Sequence, residues 1–230
     1  VIVVVGMAFE ARIAAGAGVN VICSGDGRNL AAVLARTITQ ARASSEGCRG
    51  VVSFGVAGGL APDLKPGTCI VGSAILSDSI RMPTDDHWSR ELLGSLPEAI
   101  HGPLLGVSAP VAHPEAKRAL YLKTGAMAVD MESHIVARSS AEFGLPMVAI
   151  RVITDPAVRV LPQAAVAAMR ANGTTDIAAM IRSVMKRPRE LPALVRTALD
   201  AWAARAMLLR GRRLLSPALG RSTAPDMSSI

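Results

Sequence analysis

Four carboxylates draw attention because each falls where a strand-like run gives out. Glu10 lies four residues past Gly6, beyond the run Val1–Val5. Asp130 and Glu132 flank Met131 after the short apolar run 127–129, and Asp155 follows the run 147–153 (MVAIRVI). Carboxyl groups move protons, and one held neutral by apolar surroundings can act as a general acid. Asp155 is the strongest candidate, since the apolar run before it predicts a raised pKa. A carboxylate near a helix start is also an ordinary cap, so any one of them alone is more readily structural than catalytic.

The second chemical feature is glycine. GVAGG (55–59) follows the run VVSF (51–54), and glycines there let backbone N–H groups approach an anion or a sugar. The loop is not GxGxxG. GDGRN (25–29) lacks the third glycine, and GxxxxGK[ST] is absent, so dinucleotide and P-loop chemistry have no support. Arg28 in that turn could bring a guanidinium, whose geometry suits phosphate. His87, His101, His113 and His134 show no metal-ligand spacing. Cys23, Cys48 and Cys69 fit no CxxC pattern and read as small buried hydrophobes in a reducing compartment. Neither a metal site nor a cysteine nucleophile is expected, and no cofactor.

These positions need elements to hold them. Val1–Val5, 19–23, 51–54, 69–76, 101–107, 127–129 and 147–153 read as strands, several of them β-branched throughout, as in a sheet covered on both faces. Residues 29–43 read as a helix with Leu30, Val33, Leu34 and Ile38 on one side. Residues 132–143 read as another, closed by Gly144 and Pro146, and 163–171, 174–185 and 190–209 as three more. This alternation predicts an α/β fold, a three-layer α/β/α sandwich with a central mixed sheet. One domain is expected over 1–215, with 216–230 a disordered tail rich in Ser, Pro and Gly. Gly6, the 55–59 loop and Asp155 all fall just past strand C-termini, the edge where open α/β sheets bind ligands.

Composition narrows the class. Hydrophobic residues make up 50% of the 230 residues and aromatics only 3%. No apolar run approaches the roughly 20 residues of a membrane span, and no secretory leader pattern is present, so a cytoplasmic protein is expected. The net charge is +7. Much of the excess lies between Lys186 and Arg213, where the acids are only Glu190 and Asp200. A nucleic-acid module would interleave its basic residues with aromatics, which this chain does not.

Taken in order, the motifs resemble the purine nucleoside phosphorylase and nucleosidase superfamily. Over residues 1–160, GMAFE (6–10), SGDGRNLAA (24–32), SFGVAGGLAPDLKPGTCIVGS (53–73), VDMES (129–133) and RVITDPA (151–157) look most like the bacterial 5′-methylthioadenosine/S-adenosylhomocysteine nucleosidases. The resemblance implies a nucleoside phosphorylase/hydrolase-like fold and cleavage of a purine–ribose bond. It implies that Asp155 protonates the purine at N7, that Met131 packs on the sugar, and that Glu132 accepts hydrogen bonds from the ribose hydroxyls. It further implies that Glu10 activates the attacking water, with Gly6, Val56, Ala57, Gly58 and Asp130 lining the substrate side. These roles suit the chemistry: an oxocarbenium-like centre needs nearby negative charge and a protonated leaving group.

Two nucleophiles fit the residues. Glu10, Ser53 and Val56 stand where phosphorylases hold phosphate, which favours water, whereas Arg28 favours phosphate as co-substrate. The chain departs from the nucleosidases in the short span between Glu10 and Ser24 and in the 77–113 region. It also resembles the hopanoid-associated phosphorylases, which implies release of adenine from adenosylhopane, a nucleoside with a lipid 5′ group. The short span would leave room for that group. RAMLLRGRRLLSPAL (205–219) would make peripheral contact with an anionic bilayer. A methylthioadenosine/S-adenosylhomocysteine nucleosidase and a general purine nucleoside phosphorylase are the enzymatic alternatives, and a nucleoside-binding protein the non-enzymatic one. The resemblance also implies a homo-oligomer.

Overall fold

The computed structural model describes residues 1–24, 29–44, 47–167, 182, 185, 188–217 and 219. Its strands are β1 (Ile2–Val5), β2 (Asn20–Cys23), β3 (Val51–Gly59), β4 (Cys69–Ser77), β5 (Ile80–Pro83), β6 (Ile100–Gly106), β7 (Ala128–Asp130) and β8 (Met147–Asp155). Its helices are α1 (Ala8–Ala14), α2 (Leu30–Ala43), α3 (Asp86–Ser95), α4 (Pro114–Thr124), α5 (Ser133–Glu142), α6 (Gln163–Ala167) and α7 (Leu191–Leu214).

Local signals start and stop these helices. The Asp85 carboxylate accepts the Trp88 N–H at 2.8 Å and so caps α3. Pro114 opens α4, and Gly125, at φ 66°, closes it. Leu30, Leu34 and Ile38 recur every fourth residue and give α2 its buried face.

The sheet is mixed. β1 pairs parallel with β2 and β3. β3 then pairs parallel with β8 and, at its far end, antiparallel with β7. From β7 the ladder passes to β6 and β4, and β4 returns antiparallel to β8. Five strands therefore close on themselves, while β2, β1 and β5 extend from the ring. Alternation along the strands sorts side chains into two layers. Ile2, Val4 and Val51 pack with Leu34 and Ile38 of α2 and Val136 of α5. Val3, Val5, Val52 and Phe54 pack with Ile13 of α1, Trp88 and Leu92 of α3, and Leu208 of α7. This is the α/β/α arrangement expected, with a sheet more closed than an open one.

The structure adds α1, β5, α3 and α4 to the elements read from the sequence, extends β8 through Asp155, and corrects the 55–59 loop to strand, since β3 runs on through Gly59. Helix 163–171 is described only to Ala167, and 174–185 lies outside the described residues apart from two positions. Leu215 and Leu219 are buried, and the Leu219 carbonyl accepts the Trp88 indole N–H at 2.8 Å; of the tail expected to be disordered, residues 220–230 lie outside the described residues. Of the cysteines only Cys69 is buried; Cys23 is exposed and Cys48 intermediate, a correction to the sequence reading. Burial pushes the Cys69 thiol up to about 12, which keeps it unreactive.

Candidate functional site

Glu10 sits in the first turn of α1, turned back toward the chain that leads into the helix. Its Oε2 accepts the N–H groups of Gly6 (3.0 Å) and Met7 (2.8 Å), and its Oε1 accepts that of Val56 (2.8 Å). One carboxylate thus ties β1, α1 and β3 together and fills a backbone nest of the kind that holds anions. Burial pushes its pKa up against the pull of Arg151 and these three donors.

Asp130, at the end of β7, caps α5. Its Oδ1 accepts the N–H groups of Glu132 (2.9 Å) and Ser133 (2.7 Å). Its Oδ2 accepts the Ser133 hydroxyl (2.6 Å) and Arg151 Nε (3.0 Å). Both oxygens of Asp130 thus hold partners within the protein. The half-buried Met131 stands between Asp130 and the buried Glu132.

Arg151 is the hub, and the sequence reading did not single it out. It is fully buried in β8. Besides Asp130, it donates through Nη2 to Ser53 (2.7 Å), Ser133 (3.2 Å) and Glu132 Oε2 (3.4 Å). Burial alone would lower its pKa, but Asp130, Glu132 and Glu10 together raise it. One guanidinium among three carboxylates leaves the cluster short of positive charge. Burial first, then the neighbouring Asp130 and Glu10, raise the Glu132 pKa to about 7 against the pull of Arg151. An arginine inside an apolar strand was the available signal, since a buried charge requires buried partners.

Asp155 closes the other end. It is the last residue of β8 and pairs with Gly58 across a register shift between Ala57 and Gly58. Its surroundings are not apolar, which corrects the sequence expectation: Lys117 Nζ lies 2.6 Å from Oδ2, and the Thr154 hydroxyl donates to Oδ1 at 2.9 Å. The same hydroxyl lies 3.3 Å from the Ala57 carbonyl, the alternative acceptor for its one proton. Lys117 comes from α4, and nothing in PEAKRALYLKT sets it apart from the surface lysine Lys123.

The backbone of residues 55–58 links these groups. Glu10 is bonded to Val56 N–H, and Asp155 lies beside Gly58, about 7 Å further along the strand at 3.3 Å per residue. A Cβ on Gly55 would lie 2.5 Å from Glu10 Oε1 and 2.8 Å from Arg151 Nη1, so only glycine leaves room for the cluster. Gly6, Val56, Ala57, Gly58, Met131, Glu132, Asp130, Glu10 and Asp155 are thus brought together, whereas Arg28 lies outside the described residues. An open cleft lined by Val107, Ser108, Pro110, Val111 and His113 adjoins the cluster. The Val107 N–H donates to the Asp130 carbonyl at 2.9 Å, and the Leu161 N–H to the Ala112 carbonyl at 2.8 Å.

A carboxylate cluster on this edge of a ring-closed α/β/α sheet defines a class. The family model of the phosphorylase superfamily matches residues 3–186, and the chain belongs to that superfamily. Similar solved structures are nucleosidases. The S-adenosylhomocysteine nucleosidase of Streptococcus pyogenes, solved with 5-methylthiotubericidin, is 13% identical, with a TM-score of 0.60 over 87% of this chain and 95% of that one. The methylthioadenosine/S-adenosylhomocysteine nucleosidase of Colwellia psychrerythraea, solved with adenine, is 18% identical, with a TM-score of 0.61 over 79% and 94%. Futalosine hydrolase of Helicobacter pylori is 19% identical, with a TM-score of 0.56 over 80% and 96%. No curated protein matches the chain.

Proposed function

We propose that this protein hydrolyses the N-glycosidic bond of a 5′-modified adenosine and releases adenine. The observation that carries the reading is the disposition of Glu10, Glu132 and Asp155. They arrive from separate parts of the chain, each against a glycine that leaves it room: Glu132 against Gly6, Glu10 against Gly55 and Asp155 against Gly58. In this reading Asp155 protonates the departing base, Glu132 binds the ribose hydroxyls and stabilises the cationic sugar, and Glu10 takes a proton from the attacking water.

Water is favoured over phosphate by the Glu10 nest. The three N–H donors that could cradle a phosphate are already occupied by a carboxylate, and a second anion there would meet its charge. The raised pKa of Glu10 also suits a general base.

The 5′ group is read as a lipid, as in adenosylhopane. In support, α7 carries Leu191, Val195, Leu199 and Trp202 exposed, with Val158 and Val160 exposed just after Asp155. The 205–219 segment named from the sequence is a poorer candidate for membrane contact. Leu208, Leu215 and Leu219 are buried, and Arg212 donates to the carbonyls of Ala14, Ser216 and Pro217.

The test incubates wild type and Asp155→Asn with methylthioadenosine and adenosylhopane, with and without phosphate. Adenine and the sugar product are then identified by mass. Free sugar from wild type, and a rate about 100-fold lower in the variant, are expected. A 1-phosphate of the 5-substituted ribose would replace water by phosphate, and no adenine from either nucleoside would reject the function.

A further inference from the structure

Lys117 is fully buried, and a lysine is rarely enclosed so completely without a specific use for its charge. Four oxygens converge on its ammonium: Asp155 Oδ2 at 2.6 Å, and the carbonyls of Pro156 (3.0 Å), Arg159 (3.3 Å) and Asp155 (3.4 Å). Among the described residues its ion pair is with Asp155 alone. The side chain therefore does two things: it gathers the turn from residue 155 to 159, and it places N–H protons against the carboxyl group assigned to protonate the base. A lysine needed only to gather the turn could bond the three carbonyls alone. Its shortest contact is instead to the carboxylate.

We propose that Lys117 and Asp155 form a single proton-donating unit, with Lys117 the positioning residue that supplies the proton Asp155 hands on. The inference rests on the reading of Asp155 as general acid. A Lys117 N–H bond breaks as an O–H bond forms on Asp155. That O–H breaks as N7–H forms on the purine, and the C1′–N9 electron pair leaves with the base. Water adds to C1′ and gives its proton to Glu10. The enzyme thus ends with one proton moved from Lys117 to Glu10. Exchange with solvent through the Asp155 side chain, 16% exposed, returns the proton to Lys117, and Glu10 gives its proton to water that enters as the products leave.

The experiment compares two leaving groups. One substrate is whichever of methylthioadenosine and adenosylhopane the wild type cleaves faster; the other is 4-nitrophenyl riboside, whose nitrophenolate departs without a proton. Lys117→Met, Asp155→Asn and the double variant are assayed on both. The expected result for Lys117→Met is a kcat loss of about 100-fold on the adenine nucleoside and at least ten times less on the nitrophenyl riboside. The double variant is expected to be no slower than Asp155→Asn, because members of one unit are not additive. Equal losses on both substrates, or additive losses in the double variant, would overturn the inference and leave Lys117 a structural tie. If Asp155→Asn itself fails to separate the two substrates, the general-acid reading falls and the inference with it. If Asp155→Asn separates them and Lys117→Met does not, only the role of Lys117 is lost.

Discussion

Glu132 shares one guanidinium with two other carboxylates, and its raised pKa of about 7 carries two consequences of known sign. The ionised form accepts hydroxyl hydrogen bonds and faces a cationic sugar. We expect kcat/KM to climb with pH and level off above about 7, and Glu132→Gln to abolish that inflection while lowering the rate. Between 4.5, the ordinary value, and about 7, the folded protein holds a proton that the unfolded chain has lost. Stability should therefore fall as pH rises through this window, by about 3 kcal/mol at most. Urea melts at several pH values should show that slope in the wild type and lose it in Glu132→Gln; a parallel pair of curves would contradict it. Glu10, Glu132 and Asp155 stood out in the sequence because each falls just past an apolar run and within a motif of the family resemblance, although any one alone also fits an ordinary cap. Arg151 lay hidden inside a run whose apolarity set the reading, and Lys117 lay on a helix the sequence did not reveal.

The β3 strand and its partners position all of this chemistry. Strands were legible where β-branched residues ran together, as in Val1–Val5 and 147–153. The seven residues of α1 are too few to establish a helical period, so the sequence placed Glu10 only as lying past the first strand, whereas it is fixed in the first turn of α1. β8 read two residues short because Thr154 and Asp155 lack the apolar character of the run, yet Asp155 still pairs with Gly58. The glycines of β3 carry a prediction at this scale. Gly55 has φ 155°, and an added Cβ would intrude on both Glu10 and Arg151. Gly55→Ala is expected to cost about 1–3 kcal/mol and to lower kcat as Glu10 is displaced. Thermal melting and steady-state rates would check it, and a variant with wild-type kcat would show that Glu10 need not hold its place.

On the scale of the whole molecule, α7 presents two apolar faces. Ala204 and Leu208 turn inward, while at 100° per residue Leu191, Val195, Leu199 and Trp202 fall within an arc of roughly 80° on the opposite side. Arg196, Arg205, Arg210 and Arg213 are exposed along the same helix, and its single acid, Asp200, is buried in an ion pair with Arg159. Among the described residues no helix is long and apolar enough to cross a membrane. An exposed apolar stripe with arginines beside it suits contact with an anionic bilayer. The protein is expected to float with vesicles containing anionic lipid and not with neutral ones, and Leu199→Ser/Trp202→Ser to reduce its recovery. Equal recovery of variant and wild type would remove α7 from any membrane contact.

The closed ring of strands bears on how the molecule acquires its activity. Its seam joins Val51 to Met147, and Gly58 to Asp155, across a long stretch of the chain. Segments so distant in sequence meet late, because the entropy of closing a long loop is lost before their contacts form. Glu10 and Arg151 face each other only once that seam has formed. During refolding, helix content should therefore return before turnover does. A chain stalled with the seam open would look largely structured and yet be inert.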